Sequence, residues 1–329
     1  MALTLDDLFA SPDHYLHSFE GDAALFVPMD RAAYHRSIFL DGRISPAADG
    51  ALRLPVTSLG KARRRLPTSW IFHVAHCGST LLARALDAPS SNLVLREPLA
   101  LRQTAIARDG ERLALVAAMV AKRYQADAPT IVKANVPVNF LVPELAGLDG
   151  EARAIFLYLG LRDYLLAILR SGNHREWLRR VTSQLEPHLG DLSQLADAER
   201  AAALWLGQMR AFARASAMLP NAVSLDAESL FADPHRAVGA AARHLGVPIT
   251  DAALDERVKG PLFATYSKNP DVAFDNRARL ARREQLEIAL AAELALAARW
   301  IERNAGEAGT AEAALSGADL LDRVAASRP

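Results

Sequence analysis

The stretch Trp70-Ile71-Phe72-His73-Val74-Ala75-His76-Cys77-Gly78-Ser79-Thr80-Leu81-Leu82-Ala83-Arg84-Ala85-Leu86 decides the fold. An apolar run of β-forming residues meets a tight turn at Gly78, and a helix-period apolar pattern (Leu81, Leu82, Ala85, Leu86) starts directly after two hydroxyl residues. The spacing predicts a strand over 70–75, a loop, and a helix over 79–87. That is the layout of a phosphate-binding loop, in which the first N–H groups of a helix point into a concave turn and favour an anion. Ser79 and Thr80 can cap such a helix and also donate hydroxyls to phosphate oxygens.

The loop departs from the Walker A pattern. GxxxxGK[ST] places a Lys after its second Gly to reach the outer phosphates, and here Ser79 follows Gly78. Ordinary ATP or GTP hydrolysis is therefore disfavoured. His73-x-x-His76 has a spacing found in metal pairs, but strand residues three apart face opposite sides and no third ligand is near, so no metal is expected. Cys77 reads as a small packing residue, with no local His-Cys-Asn arrangement to activate it as a nucleophile.

Working outward, apolar runs alternate with helical patterns. Strands are predicted at 92–96, 130–134, 154–159 and 222–225, and helices at 109–124, 139–146, 163–171, 174–186, 195–218, 234–245 and, as one long helix, 278–304. Continuous apolar strands alternating with helices predict an α/β, three-layer, P-loop-like fold with a central parallel sheet flanked by helices and a helix-rich C-terminal half. Ligands on such sheets sit at the carboxyl ends of the strands. His76, Glu97, Lys133 and Arg162 each follow a predicted strand, so the fold would bring all four to one edge.

Around this core, residues 1–64 read as an irregular N-terminal extension packed on an α/β domain at 65–305, with a helical tail at 306–329. The extension, with Tyr34, His35 and Asp41, could form a lid. The basic cluster Lys61, Arg63, Arg64 and Arg65 reads as a solvated charge run. Trp177, Trp205, Phe212 and Tyr266 are candidates for an apolar pocket, although aromatics at helical spacing are more often core.

The 329 residues carry 38 Lys+Arg against 38 Asp+Glu, so charge gives no footprint for nucleic acid or an anionic membrane. With 51% hydrophobic residues the chain can bury a substantial core without staples. Its single Cys excludes an internal disulfide and fits a reducing compartment. Neither a signal peptide nor an 18-residue apolar span is legible, so a cytoplasmic protein without membrane insertion is expected.

The segment His76-Cys77-Gly78-Ser79-Thr80-Leu81 resembles the first nucleotide-binding loop of the sulfotransferase superfamily, where a basic residue, a small residue, Gly, two hydroxyls and a Leu hold the 5′-phosphosulfate of PAPS. Here His stands for the usual Lys or Arg, and Cys for the usual Ser. A second, distant stretch carries the same likeness: Ala222-Val223-Ser224-Leu225-Asp226-Ala227-Glu228-Ser229-Leu230-Phe231-Ala232-Asp233-Pro234, followed by a helix closed at Leu245-Gly246. Its physics is architectural, with Asp233 as N-cap, Pro234 at the first helical position and Gly246 as C-cap.

The resemblance implies a sulfotransferase-like enzyme that transfers a sulfuryl group from PAPS to a hydroxyl or amine of a small-molecule or peptide acceptor, with no metal. It implies Glu97 as the base, His76 and Lys133 as groups acting on the transferring sulfuryl, and a cofactor site of His76, Cys77, Gly78, Ser79, Thr80 and Leu81. The family's 3′-phosphate pair, an Arg and a Ser eight residues later, falls on Arg162 and on position 170, which is Arg, with Ser at 171. Either the helix phase differs by one residue, or Arg170 has replaced the hydroxyl, or the donor is not PAPS. Lys268 and Arg277, in a polar basic loop before the last helix, are further phosphate ligands of this kind. Alternatives are an ATP-dependent phosphotransferase on a degenerate P-loop and a non-catalytic nucleotide-binding module.

Overall fold

The computed structural model describes residues 3–60, 66–87, 92–304, 306 and 308–326; the basic cluster at Lys61, Arg63, Arg64 and Arg65 lies outside them. Ten strands run in chain order: β1 His14–Glu20, β2 Ala23–Pro28, β3 Leu52–Pro55, β4 Thr68–His73, β5 Leu93–Arg96, β6 Thr130–Lys133, β7 Ala154–Tyr158, β8 Ala222–Asp226, β9 Thr265–Tyr266 and β10 Asn269–Ala273.

Five of them form a parallel sheet of order β5-β6-β4-β7-β8. Ile71, Phe72, Ile155, Phe156 and Leu157 are wholly buried within it, as expected of strands covered on both faces. Because β4 lies in the middle while the chain goes first to one side and then to the other, the topology reverses beside its carboxyl end. A crevice opens at such a point. The register sets Lys133 of β6 beside Ile71 of β4 and Arg96 of β5, so β5 and β6 finish together and β4 runs two residues further, to His73.

The N-terminal extension is more regular than its sequence suggests. β1, β2 and β3 form an antiparallel sheet, and the register of β1 on β2 shifts between Leu16 and Ser18. That bulge adds a residue to one strand, so burial runs Tyr15, Leu16, then Ser18, Phe19, and the two-residue alternation that marks a strand is lost. The sheet is tied to the α/β core: the side chain of Gln103 accepts from Phe19 N at 2.8 Å and donates to Phe19 O at 3.0 Å. Leu40 N donates to Arg96 O at 2.8 Å, which extends the β5 edge with extension backbone.

A buried charge node locks the same junction. Arg96 donates to Asp87 at 2.8 Å and to the carbonyls of Tyr34 and Ser37 at 2.6 Å each, while Arg31 and His35 also contact Asp87. The side chains of Arg96 and Asp87 are each 1% exposed. Burial alone would raise the Asp87 carboxyl, but His35 and Arg96 outweigh it and hold it down to about 2.

The C-terminal half is helical, as its periodicity predicts, with one break. The expected helix over 278–304 is two helices, Asn276–Ala289 and Ala291–Asn304, meeting at Leu290. Leu290 turns into the core, so the second helix packs on the helix Asp197–Met218 while the first buries no side chain. No Gly or Pro marks the break. The tail covers the free edge of β8: Ser224 N donates to Ala318 O at 3.0 Å and Ser224 Oγ to Leu315 O at 2.5 Å. Among the described residues no helix is long and apolar enough to cross a membrane.

Candidate active site

At the end of β4 the chain turns through Val74–Gly78 into the short helix Ser79–Ala85. Two residues of this turn are left-handed, His76 at φ 60° and Gly78 at φ 81°. Gly78 is required twice over, since an added Cβ would also lie 2.8 Å from the Phe231 ring. The turn is pinned by Val74 N to Leu157 O at 3.1 Å and by the Cys77 thiol, which donates to Val74 O at 2.8 Å. Burial pushes that thiol up to about 11, so Cys77 packs the turn as a neutral group.

Ser79, Thr80 and Leu81 are all buried, and Thr80 Oγ1 has no hydrogen-bond partner among the described residues. A buried hydroxyl without a partner costs roughly 1–3 kcal/mol, and here it sits in the first turn of the helix that follows the loop.

Glu97 follows β5 and is also left-handed, at φ 57°. Of three non-glycine residues with positive φ among the described residues, His76 and Glu97 both belong to this site. The conformation is costly for a residue with a Cβ and is retained where the surroundings over-determine it. Glu97 N donates to Lys133 O at 2.8 Å, and its carboxylate accepts from the Lys133 ammonium. The Lys133 side chain is 0% exposed and that of Glu97 18%. Burial would raise the Glu97 carboxyl, yet Lys133, with His73 and Lys268, holds it down to about 2.

His73, buried at the end of β4, faces Val74 O and Ala134 O at 2.8 Å each. Burial, followed by Lys133, pushes its pKa down to about 3, so at neutral pH the ring is neutral and donates to one of the two carbonyls.

His76 packs against His174, with centroids 4.4 Å apart, and edge-on to Trp177 at 5.6 Å. His174 Nε2 accepts from Arg170 Nη2 at 2.8 Å, and since a guanidinium only donates, the proton must be on Nδ1, which donates to Ser171 Oγ at 2.5 Å. Burial and Arg170 push His174 down to about 4. Burial, Lys268 and His174 push His76 well below its ordinary value. Both imidazoles are neutral, so the place where the loop expects a permanent cation holds none.

A cation from another part of the chain stands near His76. The expected polar loop before the last helices is a hairpin of β9 and β10 with Lys268 in its turn, and Arg84 of the loop helix donates to Ser267 O at 2.8 Å to hold it there. Lys268 is exposed by surface area because the crevice is open to water. Its ammonium nonetheless stands among protein groups, 6.0 Å from the Phe39 ring centroid, and burial followed by Lys133 lowers its pKa. Lys133 lies 5.7 Å from the same centroid and the Arg43 guanidinium 3.8 Å. Phe39, which carries no sequence signal, thus offers its π-face to three cations.

Phe39, Arg43, His73, His76, Glu97, His174 and Lys268 line a cavity of about 520 Å³ that also takes in Arg102, Asn135, Trp177 and Arg180, with Lys133 buried behind Glu97. The extension contributes Phe39, Asp41 and Arg43 to its wall, whereas Tyr34 is core and His35 belongs to the Asp87 node. Of the aromatic candidates, Trp177 reaches the cavity; Trp205 and Phe212 are core, and Tyr266 packs on Phe274 outside it.

Arg162 stands apart. The helix after β7 starts at Leu161, which turns Arg162 outward, 55% exposed and ion-paired with Glu287. Ser171 is held by His174, and Arg277 is exposed with its N–H bonded to Asp275. Beside Arg162, Arg283 pairs with Asp163 at 2.7 Å and Arg279 with Glu228 at 2.8 Å, so that region is internally neutralised. Among the described residues no group of three or more His, Cys, Asp or Glu is arranged to hold a metal ion.

No protein-family model and no curated protein matches the chain. Among solved structures it is similar to a sulfotransferase domain from the curacin biosynthetic pathway, at 14% identity over 60% of this chain and 80% of that one, with a TM-score of 0.41. It is also similar to a sulfotransferase from Alicyclobacillus acidocaldarius, at 15% identity over 73% of this chain and 96% of that one, with a TM-score of 0.39. Likeness at this level carries no argument about the reaction, which has to be read from the site itself.

Proposed function

We propose that the protein is a sulfuryl transferase, moving the group from a PAPS-type donor to a hydroxyl or amine acceptor in the Phe39–Trp177 cavity. The observation that carries the reading is the Glu97–Lys133 pair with Lys268 beside it, together with a loop helix whose Thr80 hydroxyl lacks a partner among the described residues. When bound, the donor supplies a sulfuryl group and a phosphate leaving group. The chain's part is to hold, neutralise and take a proton.

Thr80 Oγ1 would donate to the donor's phosphosulfate, with the Gly78 turn letting the backbone approach closely. Lys268 and Lys133 offset the charge on the sulfuryl oxygens and the bridging oxygen. As the acceptor oxygen bonds to sulfur, the bridging S–O bond breaks, its electron pair leaves on the phosphate oxygen, and the acceptor proton passes to Glu97. A carboxylate held near 2 is a weak base, so this transfer belongs late in the step, when the attacking oxygen has become acidic. In-line transfer asks chiefly for positioning and charge stabilisation, which suits this set of groups.

A second reading is favoured by one observation. Arg162 is tied to Glu287 at the surface, which leaves a 3′-phosphate without the partner that the resemblance implies and favours a donor lacking that phosphate, ATP among them. Against a metal nucleotide stands Glu97, whose carboxylate is already engaged by Lys133. Calorimetric titration with PAP and with ADP separates the two, followed by mass spectrometry of a metabolite extract incubated with enzyme and PAPS. PAP binding that Lys268→Met and Thr80→Val weaken, with a gain of one sulfuryl group in the extract, is expected. ADP binding without PAP binding overturns the donor assignment, and PAP binding without any transfer reduces the protein to a nucleotide-binding module.

A further inference from the structure

The cavity is lined by further cations that do not belong to the loop. Arg102, on the helix Leu99–Ala107, and Arg180, on the helix Gly172–Gln184, both line it. Arg102 Nη2 donates to the neutral amide Oε1 of Gln184 at 3.1 Å. Gln184 lies one helical turn past Arg180 on the same face, so the two guanidiniums border one stretch of wall. Among the described residues neither is in an ion pair.

Their neighbours are treated differently. Arg175 and Arg179 of the same helix pair with Glu293 and Asp197, and Arg43 across the cavity pairs with Asp41. Of the three guanidiniums that line the cavity, Arg43 has a carboxylate partner, while Arg102 and Arg180 have none among the described residues. The lining also offers apolar surface at Trp177, Val136 and Pro137, beside the polar Asn135 and Asn173.

We infer that Arg102 and Arg180 form a subsite for a carboxylate on the acceptor, which is therefore a hydroxy or amino compound that also carries an acid group, with an aromatic portion to lie against Trp177. This rests on reading the cavity as a transfer site. The donor's charge is met at the loop end by Lys268 and Lys133, so the arginine pair needs an anion of its own. A guanidinium presents paired donors that match a carboxylate and do not match an ester of the same shape.

The test uses the full chain, with and without saturating PAP, titrated calorimetrically with benzoate, phenylacetate and 4-hydroxyphenylacetate and with their methyl esters. At least one acid is expected to bind about tenfold or more tightly than its ester, as fits charge-assisted bonds. Arg180→Gln and Arg102→Gln should bring that ratio to within about twofold, while Arg179→Gln, the charge control on the same helix, leaves it unchanged. PAP affinity should be the same in all four proteins. The proposal is overturned if no acid is preferred over its ester, or if Arg179→Gln erodes the preference as much as Arg180→Gln. Acid preference without PAP binding removes the donor reading and leaves the subsite standing, whereas PAP binding without acid preference does the reverse.

Discussion

Glu97 and Lys133, from the ends of the neighbouring strands β5 and β6, form an ion pair in which the lysine side chain is wholly buried and the carboxylate still opens on the cavity. The asymmetry has an energetic consequence. Removing the carboxylate leaves a buried ammonium without its counter-charge, whereas removing the ammonium leaves a carboxylate that water can reach. Glu97→Gln is expected to cost about 3–5 kcal/mol in urea unfolding, Lys133→Met less, and the double variant less than Glu97→Gln alone. Equal costs for the two single variants would contradict this picture.

Thr80→Val separates stability from binding. Replacing a buried hydroxyl that has no partner by a methyl of the same shape should leave the fold as stable or raise it by about 1 kcal/mol. PAP affinity should meanwhile fall by about tenfold, the worth of one hydrogen bond to a charged group. A variant that loses stability and keeps full affinity would show that the hydroxyl serves the fold.

Gly78→Ala meets two obstacles, the left-handed backbone and the Phe231 ring. The backbone alone costs roughly 1–2 kcal/mol. Adding Phe231→Leu should recover the part due to the ring and none of the part due to φ, which thermal unfolding of the single and double variants can resolve.

The histidines set the acid limb of stability. His174 has its pKa lowered to about 4 from 6.5, so between these values the unfolded chain binds more protons than the folded one. Stability from this group is full above about 6.5 and is lost as pH falls towards 4; Asp87, lowered from 3.8 to about 2, removes a further increment below pH 4. His174→Gln should make the first window shallower in a series of unfolding curves, the remainder coming from His73 and His76, whose pKa values are lowered as well, and should leave the Asp87 increment in place. Because His76 is also depressed, turnover should not vary between about pH 6 and 8 through its titration, and a histidine-dependent limb there that vanishes in His76→Lys would show the opposite.

Asp87 holds the extension on the core. Asp87→Asn leaves Arg96, 1% exposed, facing a neutral amide, and should destabilise by about 3–5 kcal/mol. The loss should appear as early exchange of the amide protons of Tyr34 to Leu40, measured by hydrogen exchange.

Much of the site was legible in the sequence because it is local. The apolar run, the turn at Gly78 and the two hydroxyls specify strand, loop and helix from neighbouring residues alone, and the same periodicity marks β5, β6, β7 and β8. A parallel sheet then brings residues at strand ends to one edge, so the alternation of strands and helices is enough to group Glu97, Lys133 and the loop. Arg162 met the same rule and failed it, because the helix after β7 starts a residue ahead of it and its phase faces solvent.

What the sequence determined by itself was therefore the alternation of elements, the loop, and the set of strand-end groups from which a site could be drawn. The tertiary structure alone decided how that loop is charged. His76 stands in the basic position, but whether an imidazole is protonated depends on burial and on neighbours such as Lys268 and His174, which lie far away in the chain. Lys268 is carried towards His76 by a hairpin turn and flanked by Phe39 from an extension whose bulge hides its strands. Hydrogen-bonded periodicity is a short-range property that a sequence records directly, whereas desolvation and charge proximity are sums over groups that only folding brings together.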